Sequence, residues 1–88
     1  MKVTILGAGA YGLALALRIN KNTKNITIWS KVEEEITELI KTKTNKKALP
    51  KVVMPNNFIY TTDLSLAIKK SDIIVIAVAT KYLRSVCD

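Results

Sequence analysis

The chain has 88 residues, 49% of them hydrophobic and 24% charged, which fits one globular domain and excludes a disordered segment or an array of domains. Fourteen lysines and arginines against seven acids leave a net charge of +7. The lysines are scattered, dense only between Lys41 and Lys51, and lack an aromatic platform, so the charge suits a phosphate-rich small ligand or a bias toward Lys, Asn and Ile rather than nucleic acid.

With no histidine and a single cysteine, Cys87, there is no disulfide framework, no Cys/His zinc set and no nucleophile–histidine pair. No apolar run reaches membrane-spanning length. The N-terminus leads straight into a strand and a glycine turn, not a secretory signal. One thiol suits a reducing compartment. The expected location is therefore cytoplasmic, without membrane insertion.

In chain order, Val3–Leu6 is a short apolar run with β-branched residues, the pattern of a central parallel strand buried on both faces. Gly7-x-Gly9-x-x-Gly12 follows at once, and Tyr11 to Ile19 reads as a helix, with Ala14 and Ala16 small enough to lie close to a sheet. Ile26–Trp29 is a second strand. Ser30-x-x-Glu33 has the spacing of a capping box, Glu33, Glu34 and Glu35 fill the first turn, and Ile36, Leu39 and Ile40 give a stripe for packing. Residues 42–47 are polar and aperiodic and 48–55 extended, with prolines at 50 and 55. Phe58–Thr61 is a third strand, Asp63 caps a short helix holding Leu64, Ala67 and Ile68, and Asp72–Val78 is a fourth strand buried on both faces. Residues 79–86 look like a loop and the opening turns of another helix.

Alternating strands and helices predict an α/β fold: a Rossmann-type parallel sheet of order 3-2-1-4, with helices on both faces. A complete domain of this kind has about six strands and only about four are visible, so the sheet is incomplete. A chain this short buries roughly 60–65% of its unfolded surface and is marginal alone. Residues 1–88 are thus read as the N-terminal part of a dinucleotide-binding domain in a larger protein. The strand order reverses between the first and fourth strands, which places the ligand crevice outside Leu6 and Val78.

A bare G-x-G-x-x-G is a weak signal, but here a strand precedes it, a helix follows and a second strand lies at the right distance. Gly7, Gly9 and Gly12 are therefore cofactor-binding candidates, with the backbone N–H groups of Ala10 and Tyr11 facing a pyrophosphate. The Tyr11 ring has two readings, a cover over the cofactor or an aromatic packed beside the turn. An NAD-restricted site usually places an acid at the end of the second strand; this chain has Ser30 and Lys31, a hydroxyl and a cation suited to a 2′-phosphate. Ser30 also reads as a helix cap, Lys31 as a solvated lysine, and Glu33 as a group within reach of a ribose. The pattern predicts NADP(H), with NAD(H) left open. Asp63 and Asp72 read as caps, and Lys81 as a solvated lysine near the crevice. No catalytic residue and no metal site is visible.

Gly7-Ala-Gly-Ala10-Tyr11-Gly12-Leu-Ala-Leu-Ala resembles the first signature of bacterial NAD(P)-dependent glycerol-3-phosphate dehydrogenases. Ile28-Trp29-Ser30-Lys31 is similar to that family's strand end, and Asn45-Lys46-Lys47-Ala48-Leu49-Pro50 with Met54-Pro55 resembles its N-x-x-Y-L-P-G…L-P loop. Thr61-Thr62-Asp63-Leu64 and the strand Ile74–Val78 also fit, so the resemblance covers essentially the whole chain. Lys51 stands where the family usually has Gly, Ala48 where it often has Tyr, and Ala79 where Pro usually follows the fourth strand.

The resemblance implies that Ala10, Tyr11 and Lys31 match cofactor-contact positions. It implies a full enzyme interconverting dihydroxyacetone phosphate and glycerol 3-phosphate for phospholipid synthesis. Its catalytic lysine and most substrate contacts would lie in later strands and a helical C-terminal domain, so the 88 residues alone are expected to be inactive. The partner would be a small phosphorylated substrate, with a homodimer among the open assembly states. Two other readings stay open: another two-domain reductase such as ketopantoate reductase, against which the N-x-x-x-L-P loop argues, and a non-catalytic NAD(P)-sensing module or gene remnant.

Overall fold

The computed structural model describes residues 1–77, within which seven elements alternate in type. These are β1 (Val3–Leu6), α1 (Ala10–Ile19), β2 (Ile26–Trp29), α2 (Glu33–Thr42), β3 (Ile59–Thr61), α3 (Leu64–Ile68) and β4 (Ile73–Ile76). All strands pair in parallel in the order β3-β2-β1-β4, as the alternation predicts. The expectations for Val78, Lys81, Cys87 and the segment 79–86 lie outside the described residues.

The pleat divides the core into two layers. Val3 and Ile5 of β1 and Ile26 and Ile28 of β2 face one side, where Leu13 and Ala16 of α1, Leu39 of α2, and Met54 and Phe58 of the following loop cover them. Leu6 and Trp29 face the other side, against Ala67 and Leu64 of α3. Thr4 shares that second face and is fully buried; its hydroxyl donates to the Ala67 carbonyl at 2.7 Å, so a polar side chain in a central strand is satisfied. Trp29 is anchored by its indole N–H, which donates to the Thr62 carbonyl at 2.9 Å.

Several sequence expectations need correction. The α2 cap is Val32, not Ser30: the helix starts at Glu33 with no side-chain capping bond, and Ser30 instead accepts from the Val32 N–H at 3.1 Å. The chain needs Lys31 and Val32 to turn from the end of β2 into the helix, which leaves no room for a capping box at Ser30–Glu33. Ile40 and Ala14 face solvent, because the packed stripes of α2 and α1 are narrower than their apolar content. β4 is the sheet edge in the described residues, and Ile73, Ile74 and Ile76 are 44–49% exposed rather than buried on both faces. Asp72, at the start of β4, accepts the Lys2 N–H at 2.7 Å through its carboxylate and so ties the starts of β1 and β4 together. Asp63 does cap α3, accepting from the Leu66 N–H at 3.0 Å.

Candidate dinucleotide site

The glycine turn runs from the carboxyl end of β1 into α1, between β2 and β4. Gly7 donates to the Trp29 carbonyl at 2.8 Å, and Ala77 donates to the Leu6 carbonyl at 2.9 Å, so the turn leaves the sheet where the strand order reverses. Ligands of open α/β sheets bind at that point.

The three glycines are needed for different reasons. Gly7 has φ 141°, which side chains rarely adopt. At Gly12 a Cβ would run into the Gly7 carbonyl oxygen and sit 3.0 Å from its carbon, so only glycine lets α1 approach the turn. Gly9 has an ordinary φ of −78°, and a Cβ there would meet nothing within 4 Å. Neither backbone conformation nor packing among the described residues asks for glycine at Gly9. The space it leaves open is what the close approach of a pyrophosphate needs.

Donors face the same space. Leu13 is the first residue of α1 whose N–H finds a backbone partner, the Gly9 carbonyl at 3.0 Å. The N–H groups of Gly9, Ala10, Tyr11 and Gly12 have no backbone acceptor among the described residues, and the first turn of α1 holds no acid. Free donors, the positive end of a helix dipole and no competing carboxylate together suit an anion. Ala10 is exposed, and Tyr11 is 67% exposed, so its ring is not packed beside the turn.

At the neighbouring strand end, Ser30 is 4% exposed and Lys31 is exposed. The backbone N–H of Ser30 donates to the Thr61 carbonyl at 3.2 Å, which extends the β2–β3 pairing past Trp29. Its hydroxyl donates to Glu35 Oε1 at 2.8 Å, and a serine has only one such proton. With that proton engaged, the cation at this strand end among the described residues is Lys31. Glu33 is exposed in the first turn of α2.

Two further residues belong to this region and stand outside the glycine and strand-end patterns. Asn45 is 2% exposed, and its Nδ2 donates to the Ala8 carbonyl at 2.8 Å and to Glu35 Oε2 at 3.2 Å. The signal for Asn45 was its place at the head of the Asn-Lys-Lys-Ala-Leu-Pro stretch, a lone amide in a run of lysines. For Glu35 the signal was helical phase: it lies beside the buried Ile36 and one turn from Glu38, whereas Glu33 and Glu34 point to solvent.

A parallel sheet of this order with a glycine turn at its switch point and an anion-ready helix end defines a Rossmann-type chain, the class that holds dinucleotides. A family model described as the N-terminus of NAD-dependent glycerol-3-phosphate dehydrogenase matches residues 2–88, and the chain belongs to this family. It is 40% identical over 86 residues to a protein of Fusobacterium nucleatum named glycerol-3-phosphate dehydrogenase (NAD(P)+), covering 98% of this chain and 26% of that protein. A Lysinibacillus sphaericus protein of the same name is 40% identical over 87 residues, again with 26% of its length covered. Among solved structures, a glycerol-3-phosphate dehydrogenase from Coxiella burnetii superposes with a TM-score of 0.88 at 27% identity, covering 97% of this chain and 26% of that one. The chain thus spans about a quarter of the length of the curated relatives it matches.

Proposed function

We propose that residues 1–88 form the first part of the dinucleotide-binding domain of an NAD(P)-dependent glycerol-3-phosphate dehydrogenase. The whole protein would reduce dihydroxyacetone phosphate to sn-glycerol 3-phosphate, a phospholipid precursor, in the cytoplasm. The observation that carries this reading is the open space at Gly9, a glycine that neither its φ nor packing among the described residues requires, at a turn whose Gly9, Ala10, Tyr11 and Gly12 N–H groups have no backbone acceptor among those residues. When bound, the nicotinamide supplies the hydride. The part played by these residues is to hold: Gly9, Ala10, Tyr11 and Gly12 donate backbone N–H groups to the pyrophosphate, and Gly7 and Gly12 let the turn and helix come close enough to do so. Tyr11, exposed beside the turn, covers the cofactor. Ser30 and Lys31 lie at the ribose end, and Lys31 favours a 2′-phosphate and hence NADP(H), with NAD(H) also accepted.

Oxidation of NADPH and of NADH by the intact protein, with dihydroxyacetone phosphate as acceptor and ketopantoate as control, tests the reaction. Turnover with the triose phosphate alone is expected; turnover with ketopantoate alone, or with neither, overturns it. Lys31→Ala tests the cofactor. Losing a charge-assisted contact of ~1.5–3 kcal/mol weakens NADP(H) about tenfold or more and spares NAD(H). Equal loss for the two rules out a 2′-phosphate role for Lys31.

A further inference from the structure

We propose that Asn45 is a positioning residue for the dinucleotide: its buried carboxamide aims the glycine turn and, through Glu35 and Ser30, locks that turn to the end of β2. This rests on the reading of the glycine turn as a pyrophosphate cradle. In a trans peptide the carbonyl of one residue and the N–H of the next lie in one plane and point in opposite directions. The Ala8 carbonyl points inward, onto Asn45 Nδ2 at 2.8 Å. The Gly9 N–H of the same peptide therefore points away from Asn45, toward the side where Gly9 leaves open space. Holding one oxygen in place sets the direction of a donor in the cradle.

The clamp has little freedom to do anything else. Both Nδ2 protons of Asn45 are used, one on Ala8 and one on Glu35 Oε2 at 3.2 Å, and the residue is 2% exposed, so neither bond has water as a ready substitute. Glu35 then spends its other oxygen on the Ser30 hydroxyl at 2.8 Å. The chain of bonds runs from the glycine turn through the loop after α2 and the first turn of α2 to the end of β2, joining the two ends of the dinucleotide site. The loop is folded around the amide: the Asn45 carbonyl accepts from Ala48 and Leu49 at 3.1 and 2.8 Å, and Glu38, one turn after Glu35, accepts from the Lys46 N–H at 3.1 Å.

Asn45→Asp in the intact protein keeps the size of the side chain and replaces both donors with an oxygen facing the Ala8 carbonyl and Glu35. Calorimetric titration with NADH and with NADPH should show both weakened tenfold or more and by equal factors, unlike the selective loss expected of Lys31→Ala. The Michaelis constant for the cofactor rises while kcat at saturating cofactor stays within twofold, and amide hydrogen exchange at residues 7–12 quickens without cofactor. Glu35→Ala, should the aspartate variant not fold, is expected to weaken both cofactors about threefold or more. Affinities within twofold of wild type for the folded variants overturn the proposal. So does a loss of affinity matched by a fall in kcat and a lowered melting temperature, with exchange at residues 7–12 unchanged, which marks a merely structural residue. Wild-type protein that binds neither dinucleotide sinks the cradle reading itself, and this inference with it.

Discussion

The glycine turn divides into three residues with different duties. Gly7 answers to backbone conformation and Gly12 to the contact between α1 and the turn, while Gly9 meets neither constraint among the described residues. Gly12→Ala should destabilise the protein by about 3 kcal/mol, because the new methyl meets backbone rather than a side chain that can swing aside. Gly9→Ala should cost about 1 kcal/mol or less, the difference between glycine and alanine at a helix N-cap, and yet weaken dinucleotide binding about tenfold or more. Denaturant midpoints measured beside cofactor titrations separate the two. If Gly9→Ala binds NADH as tightly as wild type, Gly9 has no role in the cradle. The spacing of the three glycines was plain in the sequence; their division of labour was not, since it depends on what stands opposite each Cα.

Among the elements, α3 shows a local signal read correctly and α2 one misread. Asp63 ahead of an apolar stretch predicts a cap, and its carboxylate does accept the Leu66 N–H. Asp63→Ala should lower stability by about 1 kcal/mol, measured by chemical denaturation, since α3 contributes the fully buried Ala67 and the carbonyl that accepts from Thr4. A midpoint unchanged by the substitution would show that tertiary packing alone holds the helix. Ser30-x-x-Glu33 is as good a local pattern, but the Ser30 amide is still paired to β3, and the helix can begin only after the chain has turned. Residues 42–47 carry a polar, aperiodic pattern, 48–55 an extended one, and Phe58 reads as the start of the third strand. The folded segment brings Asn45, Met54 and Phe58 into the interior without a regular period along it to mark them, and β3 begins only at Ile59.

At the scale of the whole molecule, the half-buried Tyr60 is expected to make stability depend on alkaline pH. Tyr60 packs edge-on against Phe58, with ring centroids 6.4 Å apart, and its hydroxyl is buried without a hydrogen-bond partner among the described residues. Burial pushes its phenol from 10.0 up to about 12. The folded protein keeps a proton that the unfolded chain has released, so the stability is intact below about pH 10 and falls as the pH rises toward 12. Tyr60→Phe should remove that share of the alkaline decline and, by deleting an unsatisfied buried hydroxyl, raise stability at neutral pH by about 1 kcal/mol. Denaturation curves at pH 8, 10 and 11.5 check both. An identical alkaline slope in the variant would place the titrating group elsewhere.

What the sequence determined by itself was what short-range periodicity and turn chemistry encode: the order of strands and helices, the parallel sheet with β1 in its interior, and the glycine turn at the reversal of strand order. Residues a few positions apart specify these through apolar pattern, φ preference and capping; the family was legible only as a resemblance of motifs. Tertiary structure alone decided which side chains meet across long separations. Asn45 reaches Ala8 from 37 positions away, and Glu35 faces Ser30 only because α2 begins at Glu33. It also decided that β4 is the edge strand among the described residues, because exposure depends on what packs beside a strand and an isoleucine run reads the same in the middle of a sheet or at its rim. The glycine turn was legible from its spacing; the amide that donates to the Ala8 carbonyl became visible only once the loop was folded against it.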